Sequence, residues 1–147
     1  YSMETMYALM KSIVSNGEWN DFVDTLIKEA SKERDGVRVL FIYTQEKMWD
    51  RYMEYLRKTP SIYNLDDAPR QVWNLYKDEL IRLYASCVRH FFQHASNRSS
   101  YCEGVNLLRK LIKHGGKTEV DRIIAEQKAR TPRRPALIDE LSKLQEA

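Results

Sequence analysis

The chain has 147 residues, of which 43% are hydrophobic and 11% aromatic, with a net charge of +3 and only five Gly and four Pro. This composition excludes a disordered chain and disfavours a fold of many short strands, which would need more turn-forming residues. Two cysteines give no disulfide framework, and no run of about eighteen apolar residues predicts a membrane span. We therefore expect one α-helical domain over residues 1–147, without a membrane association and in the cytoplasm. Because the chain begins with Tyr1, we also expect a fragment of a longer protein.

A repeated stripe organises the first part of the chain. Its two copies, thirty positions apart, are Trp19, Phe22 and Leu26, then Trp49, Tyr52 and Leu56. Spacings of three and four residues place each copy on one face of a helix. A recurring helical stripe is typical of stacked helical hairpins, because one hairpin alone cannot bury its apolar face.

Four helices are predicted before Pro60. The first covers residues 2–15, has an apolar stripe made of Met6, Leu9, Met10, Ile13 and Val14, and stops at Asn16-Gly17. The second covers 18–30 and its hairpin closes at Asp35-Gly36. The third, from about 37 to 45, is rich in β-branched residues and locally favours a strand, but the repeat favours a helix. The fourth runs from about 48 to 58.

The rest of the chain is predicted to hold a loop and four more helices. Residues 61–68 form the loop, with Ile62, Tyr63 and Leu65 tucked inward. A long helix follows Pro69 and ends at about Ala95, with an apolar face made of Val72, Leu75, Tyr76, Leu80, Leu83, Tyr84, Cys87 and Phe91.

Capping signals delimit the three helices after that long one. Ser100 with Glu103 fits a capping box, His114-Gly115-Gly116 ends that helix, Thr118 with Asp121 caps the next, and Pro135 opens the last. Gly104 stands where the stripe has a bulky residue, so two helices can approach closely there. The predicted fold is all-α, with about eight helices in antiparallel pairs stacked as a right-handed, tetratricopeptide-like array.

The strongest candidate for chemistry is a set of zinc-type ligands, namely Cys87, His90, His94 and Cys102. Cys87 lies beside Tyr84 and Phe91 on the apolar face, where a free cysteine packs as a small hydrophobe. No glycine-rich elbow or oxyanion loop accompanies either cysteine, and the carboxylate pairs lie at loop edges or helix surfaces. We expect no catalytic residue, no metal, no cofactor and no small-molecule substrate.

Charged residues are distributed unevenly along the chain. Residues 1–67 hold 9 Lys and Arg against 12 Asp and Glu, whereas residues 68–147 hold 15 against 9. The candidate site for nucleic acid or an acidic partner is the basic set Arg109, Lys110, Lys113, Arg122, Lys128, Arg130, Arg133 and Arg134. A solvated interhelical loop would have a similar composition. A second candidate site is a concave groove for a peptide or protein, lined by Tyr7, Tyr43, Tyr55 and Tyr63. These rings would equally fit packing in the core.

Three stretches carry a resemblance to a known family. They are QEKMWDRYMEYLRKTP at 45–60, ASNRSSYCEGVNLLRKL at 95–111 and RRPALIDELSKL at 133–144. Together they resemble the helical region that follows the zinc finger in bacterial SWIM zinc finger family proteins. The chain has no Cys-x-Cys or Cys-x-His pair, so the zinc ligands of that family are not carried over to any residue.

The resemblance implies a bacterial cytoplasmic protein in which this region is the helical companion of a finger with a DNA- or protein-binding role. We therefore expect a non-enzymatic helical-repeat scaffold for protein-protein interaction, accessory to a SWIM-type zinc finger. The alternative is nucleic-acid binding through the basic C-terminal half.

Overall fold

The chain is all-α in a computed structural model, which describes residues 2–130 and 132–146. For residues 145 and 146 the description covers only the helical backbone. These residues form nine helices and no strand: α1 (Met3–Ile13), α2 (Asn16–Ala30), α3 (Val37–Gln45), α4 (Trp49–Lys58), α5 (Ile62–Asp67), α6 (Arg70–His94), α7 (Arg98–Lys113), α8 (Lys117–Lys128) and α9 (Pro135–Glu146). The predicted all-α class is confirmed. The tetratricopeptide-like order and its handedness stay predictions.

The β-branched run after Gly36 is helical, as the repeat predicted. Gly36 has φ 68° and Val37 opens α3. A left-handed conformation of this kind is easy only for glycine, so Gly36 sets the corner that directs the run into a helix. Packing on α2 then buries Val39 and Ile42, and this burial outweighs the local preference for a strand.

Helix α5 is the one helix that was not predicted, because its stretch was expected to be a loop. The Ser61 hydroxyl accepts a hydrogen bond from the Asn64 backbone N–H at 3.1 Å, which caps this short helix. Leu65 is fully buried, as expected, but Tyr63 is 73% exposed. Because residues two apart point to different sides of a helix, Leu65 and Tyr63 cannot both face inward.

Two predicted helix boundaries were wrong by a few residues. Gly17 lies in the first turn of α2 rather than beyond the end of α1, which finishes at Ile13. The N-cap of α7 is Asn97, whose side chain accepts from the Ser100 N–H at 2.9 Å, so Ser100 is the third helical residue and not the cap.

The predicted cap of α8 was also wrong. Its N-cap is Gly116, which offers no side chain to the helix, so Thr118 lies inside the first turn. Pro135 begins α9, as predicted.

The residues pack into two compact units, which divide between Tyr52 and Met53. The single domain that was predicted stays a prediction. The first unit has its core on α2 and α3, where Trp19, Val23 and Ile27 are buried. Phe22 and Leu26 of the same stripe are only half-buried.

The second copy of the stripe is also buried unevenly. Tyr52 and Leu56 are buried, whereas Trp49, expected in the core, is half-buried. Matching spacing therefore predicted the helices, but it did not predict equal burial along each stripe.

In the second unit the long helix α6 is broken at Tyr76, which has φ −126° and ψ 31°. Beyond the break the buried stripe follows Leu80, Tyr84 and Phe92. The predicted face was therefore wrong by one position near its end, where Phe91 is only partly buried, and wrong at Leu75, which is 62% exposed. Neither α6 nor any other described helix combines the length and apolar character needed to cross a membrane.

The α6–α7 contact depends on a glycine. A Cβ added to Gly104 would lie 2.6 Å from Phe92 Cζ, far inside van der Waals contact, and Phe92 is fully buried. The predicted role of Gly104 as a point of close helix approach is confirmed. Since α7 also packs on α8 and α9, this contact positions most of the second unit.

We expect Gly104→Ala to lower the free energy of unfolding by about 1–3 kcal/mol, because the new methyl group overpacks against Phe92. Gly17→Ala is the matched control: no atom lies within 4 Å of its added Cβ, and alanine favours a helix, so the change should be between zero and a gain of about 1 kcal/mol. Urea denaturation followed by circular dichroism measures both. Equal effects of the two variants would contradict the close contact.

Candidate functional site

Two arginines of the predicted basic set cap the C-terminal end of α6. Arg130 Nη1 donates to the Phe92 carbonyl at 2.8 Å and to the Gln127 side-chain oxygen at 2.9 Å. Arg134 Nη1 donates to the Ala95 carbonyl at 2.6 Å. Phe92 and Ala95 lie at the C-terminal end of α6, where carbonyls lack intrahelical partners and the helix dipole favours a cation. The guanidinium groups of Arg130 and Arg134 thus satisfy backbone acceptors.

The other predicted cations do not form one free surface. Three have polar partners, which are Arg109 with Asn106 at 2.7 Å, Lys110 with Asp66 at 3.1 Å and Arg122 with Glu119 at 2.9 Å. Lys128 is exposed at the end of α8. Lys113 and Arg133 are exposed and make no ion pair with the residues that the structure describes. The predicted set is therefore divided between arginines that cap a helix, cations in surface polar contacts, and Lys113 and Arg133, which are unpaired among the described residues.

The four zinc-type ligands are not brought together. Across residues 2–130 and 132–146, no three His, Cys, Asp or Glu side chains are placed to share a metal ion. His90 and His94 have ring centroids 4.6 Å apart on the exposed side of α6. Cys87 lies in a shallow groove with Pro60 and Ile62. Burial raises the pKa of the Cys87 thiol.

Cys102 belongs to an ion-pair cluster between α7 and α9. Glu140 Oε1 accepts from Arg98 Nη1 at 2.6 Å and from Lys143 Nζ at 2.9 Å. The hydrogen bond from Lys143, followed by those from Cys102 and Arg98, lowers the pKa of Glu140 to about 2. The bond to Glu140 raises the pKa of the Cys102 thiol. A nucleophilic cysteine is typically activated by a lowered pKa, and the pKa shifts of Cys102 and Cys87 are in the opposite direction.

The first unit contains an open apolar groove of about 360 Å³. We call it the methionine groove; it is lined by Met3, Met6, Tyr7, Met10, Leu26, Glu29, Ala30, Arg38, Phe41 and Ile42. Met3 and Met6 are 41% and 47% exposed. Unbranched, polarizable methionine side chains adapt to differently shaped apolar surfaces. The groove is therefore an adaptable apolar surface with one carboxylate and one guanidinium at its edge.

One buried hydrogen-bond group holds α1 beside this groove. The Tyr7 hydroxyl donates to Glu46 Oε2 at 2.7 Å, and Trp19 Nε1 donates to Glu46 Oε1 at 2.9 Å. Burial, together with the bond to Glu46, raises the pKa of Tyr7, so the phenol stays protonated and remains a donor. Phe41 meets the Tyr7 ring edge-to-face at 5.6 Å. These contacts fix the wall of the groove that α1 contributes.

No family model, curated protein or solved structure matches the chain.

Sequence reasoning placed α1 correctly but did not find the groove. The stripe of Met6, Leu9, Met10 and Ile13 predicted a buried face, yet Tyr7 is the one buried residue of α1. The available signal was composition: three of the five methionines lie in the first ten residues. Methionine-rich stretches are typical of adaptable binding surfaces.

Replacing Arg130 and Arg134 together with Ala should lower the free energy of unfolding by about 1.5–3 kcal/mol for each lost charge-assisted hydrogen bond. Arg133→Ala is the control, and should change it by no more than about 0.5 kcal/mol because its side chain has no described partner. Chemical denaturation measures both variants. A double variant as stable as the wild type would mean that the α6 carbonyls do not need these donors.

The Glu140 cluster predicts a pH-dependent contribution to stability. Because the pKa of Glu140 is lowered from 4.5 to about 2 on folding, its stabilisation is present above pH 4.5 and is lost as the pH falls toward 2. Glu140→Gln should therefore destabilise the protein at pH 7 and much less near pH 2, in urea titrations at both pH values. An equal loss at the two pH values would contradict a folded-state carboxylate held by Lys143 and Arg98.

Proposed function

We propose that the chain is a non-enzymatic protein-interaction module that binds an amphipathic helix in the methionine groove. The observation that carries this proposal is the exposed, methionine-lined wall of the groove. Full burial of an exposed methionine side chain contributes about 1.5–3 kcal/mol. Met3 and Met6 keep 41% and 47% of their surface exposed, so somewhat less than half of that free energy is available at each of them when a partner covers the groove.

An amphipathic helix suits the chemistry of this surface. Helix-in-groove recognition uses apolar side chains at three- and four-residue spacing, and methionine-rich grooves accept several such sequences. The groove has few polar groups: Glu29 and Arg38 are at its edge, and Arg38 is already paired with Glu33 at 3.3 Å. A small polar ligand would need convergent hydrogen-bonding groups, which the lining does not supply.

The charge of the surrounding surface specifies the flanks of the partner helix. Helix α2 contributes Leu26 and Glu29 to the groove, and Glu29 pairs with Lys32 at 3.1 Å. The same helix carries Glu18 and Asp21, which make no ion pair among the described residues. On a helix, Glu18 and Glu29 share one side, since they are eleven residues apart. We therefore assign Lys or Arg to the flanks of the partner's apolar stripe, where opposite charges speed association and set its orientation.

The cytoplasmic setting and the place beside a SWIM zinc finger belong to the same proposal. They are supported by the two free cysteines and by the resemblance of the three stretches.

The test uses ¹³C-methyl-methionine NMR with a synthetic amphipathic helix that has a leucine stripe flanked by lysines. We expect the methyl resonances of Met3, Met6 and Met10 to shift on titration, whereas those of Met48 and Met53, which do not line the groove, stay in place. Met6→Asp should weaken binding by about 10–100-fold, because it puts a charge in the apolar contact.

Leu9→Asp is the matched control. Leu9 is an exposed apolar residue of the same helix but does not line the groove, so its change should leave the affinity within about twofold. A scrambled peptide of identical composition should not bind. Equal shifts of all five methionines, or no shift with millimolar peptide, would overturn the proposal.

A further inference from the structure

The second unit carries most of the positive charge of the chain. It holds 17 Lys and Arg against 12 Asp and Glu, an excess of five. The segment predicted to use this charge is partly engaged, because Arg130 and Arg134 bond to carbonyls of α6. The free cations are concentrated elsewhere, at the corner between α7 and α8.

Two contacts bring the start of α6 to this corner. The rings of Trp73 and His114 stack with centroids 3.8 Å apart and planes 1° from parallel. One turn further along α6, Lys77 Cε and Nζ lie 3.0 Å from the position that a Gly115 Cβ would occupy. Both contacts fix the N-terminal part of α6 against the end of α7, and they place the Lys77 ammonium over the glycine corner.

These contacts collect five cations, which we call the corner patch: Arg70, Lys77, Lys110, Lys113 and Lys117. Arg70 lies one turn before Trp73, Lys113 precedes His114, and Lys117 is the first residue of α8.

Three members of the corner patch are free. Arg70, Lys77 and Lys113 form no ion pair with any residue in the described ranges, whereas Lys110 pairs with Asp66 and Lys117 with Asp121. Five cations stand against Asp66, Asp67, Asp78 and Asp121, so a net charge of +1 remains at the corner. Uncompensated charge of this kind attracts polyanions.

We propose that the corner patch binds the phosphate backbone of a nucleic acid. Lys and Arg side chains from three helices can neutralise successive phosphates, as backbone recognition requires. Gly115 is exposed beside the Lys77 side chain, whereas Gly116 is buried against Leu111, so the surface of the corner is formed by Gly115 and the cations around it. Phosphate contacts of this kind position a backbone and are independent of base sequence.

The test is fluorescence anisotropy with short, labelled, mixed-sequence DNA and RNA duplexes. With three to four phosphates neutralised, affinity should fall by about 40–150-fold between 50 and 200 mM salt, from the counterion-release slope. Binding to either duplex supports the proposal, and the comparison identifies which nucleic acid is preferred. Absence of binding at 50 mM salt overturns it.

The variants separate the corner patch from the segment predicted from the sequence. Lys77→Glu with Lys113→Glu should weaken binding at least tenfold and reduce the salt slope by about two, whereas Arg133→Glu, an exposed and unpaired cation outside the patch, should stay within about twofold. If charge reversal lowers the melting temperature, Lys77→Gln with Lys113→Gln gives the same comparison with less repulsion.

Two further results would overturn the assignment. One is an equal loss of affinity in Arg133→Glu and in the Lys77 and Lys113 double variant, since this would make the interaction a general effect of net charge. The other is equal affinity for labelled polyglutamate of matched length, because an acidic protein surface would then fit as well as a phosphate backbone.

Discussion

The methionine groove depends on the carboxylate of Glu46. Helix α1 buries one side chain, Tyr7. The Tyr7 hydroxyl and the Trp19 indole N–H both donate hydrogen bonds to the Glu46 carboxylate. Buried polar groups of this kind are costly unless every partner is present, so the three groups define one position for α1. Edge-to-face contacts of the Tyr7 ring with Trp19 and Phe41 add to this attachment, whereas Met3 and Met6 keep 41% and 47% of their surface exposed. A helix attached mainly through one aromatic residue can thus present an apolar face without losing its place.

In the second unit, aromatic side chains likewise donate hydrogen bonds that position the helices around the corner patch. The Tyr84 hydroxyl donates to Asp66 Oδ1 at 2.9 Å, Lys110 pairs with Asp66 Oδ2, and Trp73 Nε1 donates to the Leu65 carbonyl at 3.1 Å. Short α5 is therefore joined to α6 by two aromatic donors and to α7 by the Lys110–Asp66 ion pair, which neutralises one lysine of the corner patch. Burial lowers the pKa of His114, so a neutral imidazole stacks on Trp73. The rigid polar network is thus what leaves the neighbouring lysines in a defined arrangement.

The helices were predictable from the sequence because their signals are local or periodic, whereas the sites depend on tertiary placement. The repeat identified Val37–Gln45 as helix against its own propensity, and the small size of Gly104 predicted a close helix contact. The core position of Phe92 was missed because Cys87-Val88 and Phe91-Phe92 are adjacent apolar pairs, so helical spacing fits a buried face through Phe91 as well as one through Phe92. Charge counts could not show that Arg130 bonds to helix carbonyls. Apolar spacing likewise predicts an amphipathic face but not whether a partner within the chain covers it.

The two proposed surfaces differ in the physics of binding, and this difference bears on how one chain could use both. The methionine groove gains most of its free energy from apolar burial, which salt affects weakly. The corner patch gains its free energy from counterion release, which falls steeply as salt rises. The surfaces lie in units of opposite charge balance, since residues 1–52 hold 7 Lys and Arg against 9 Asp and Glu. Under the two proposals, a basic partner helix is attracted to the first unit and a nucleic acid to the second, so the charge pattern that favours each ligand also disfavours exchange between the sites. The proposed role is therefore that of an adaptor whose two ligands are selected by different forces.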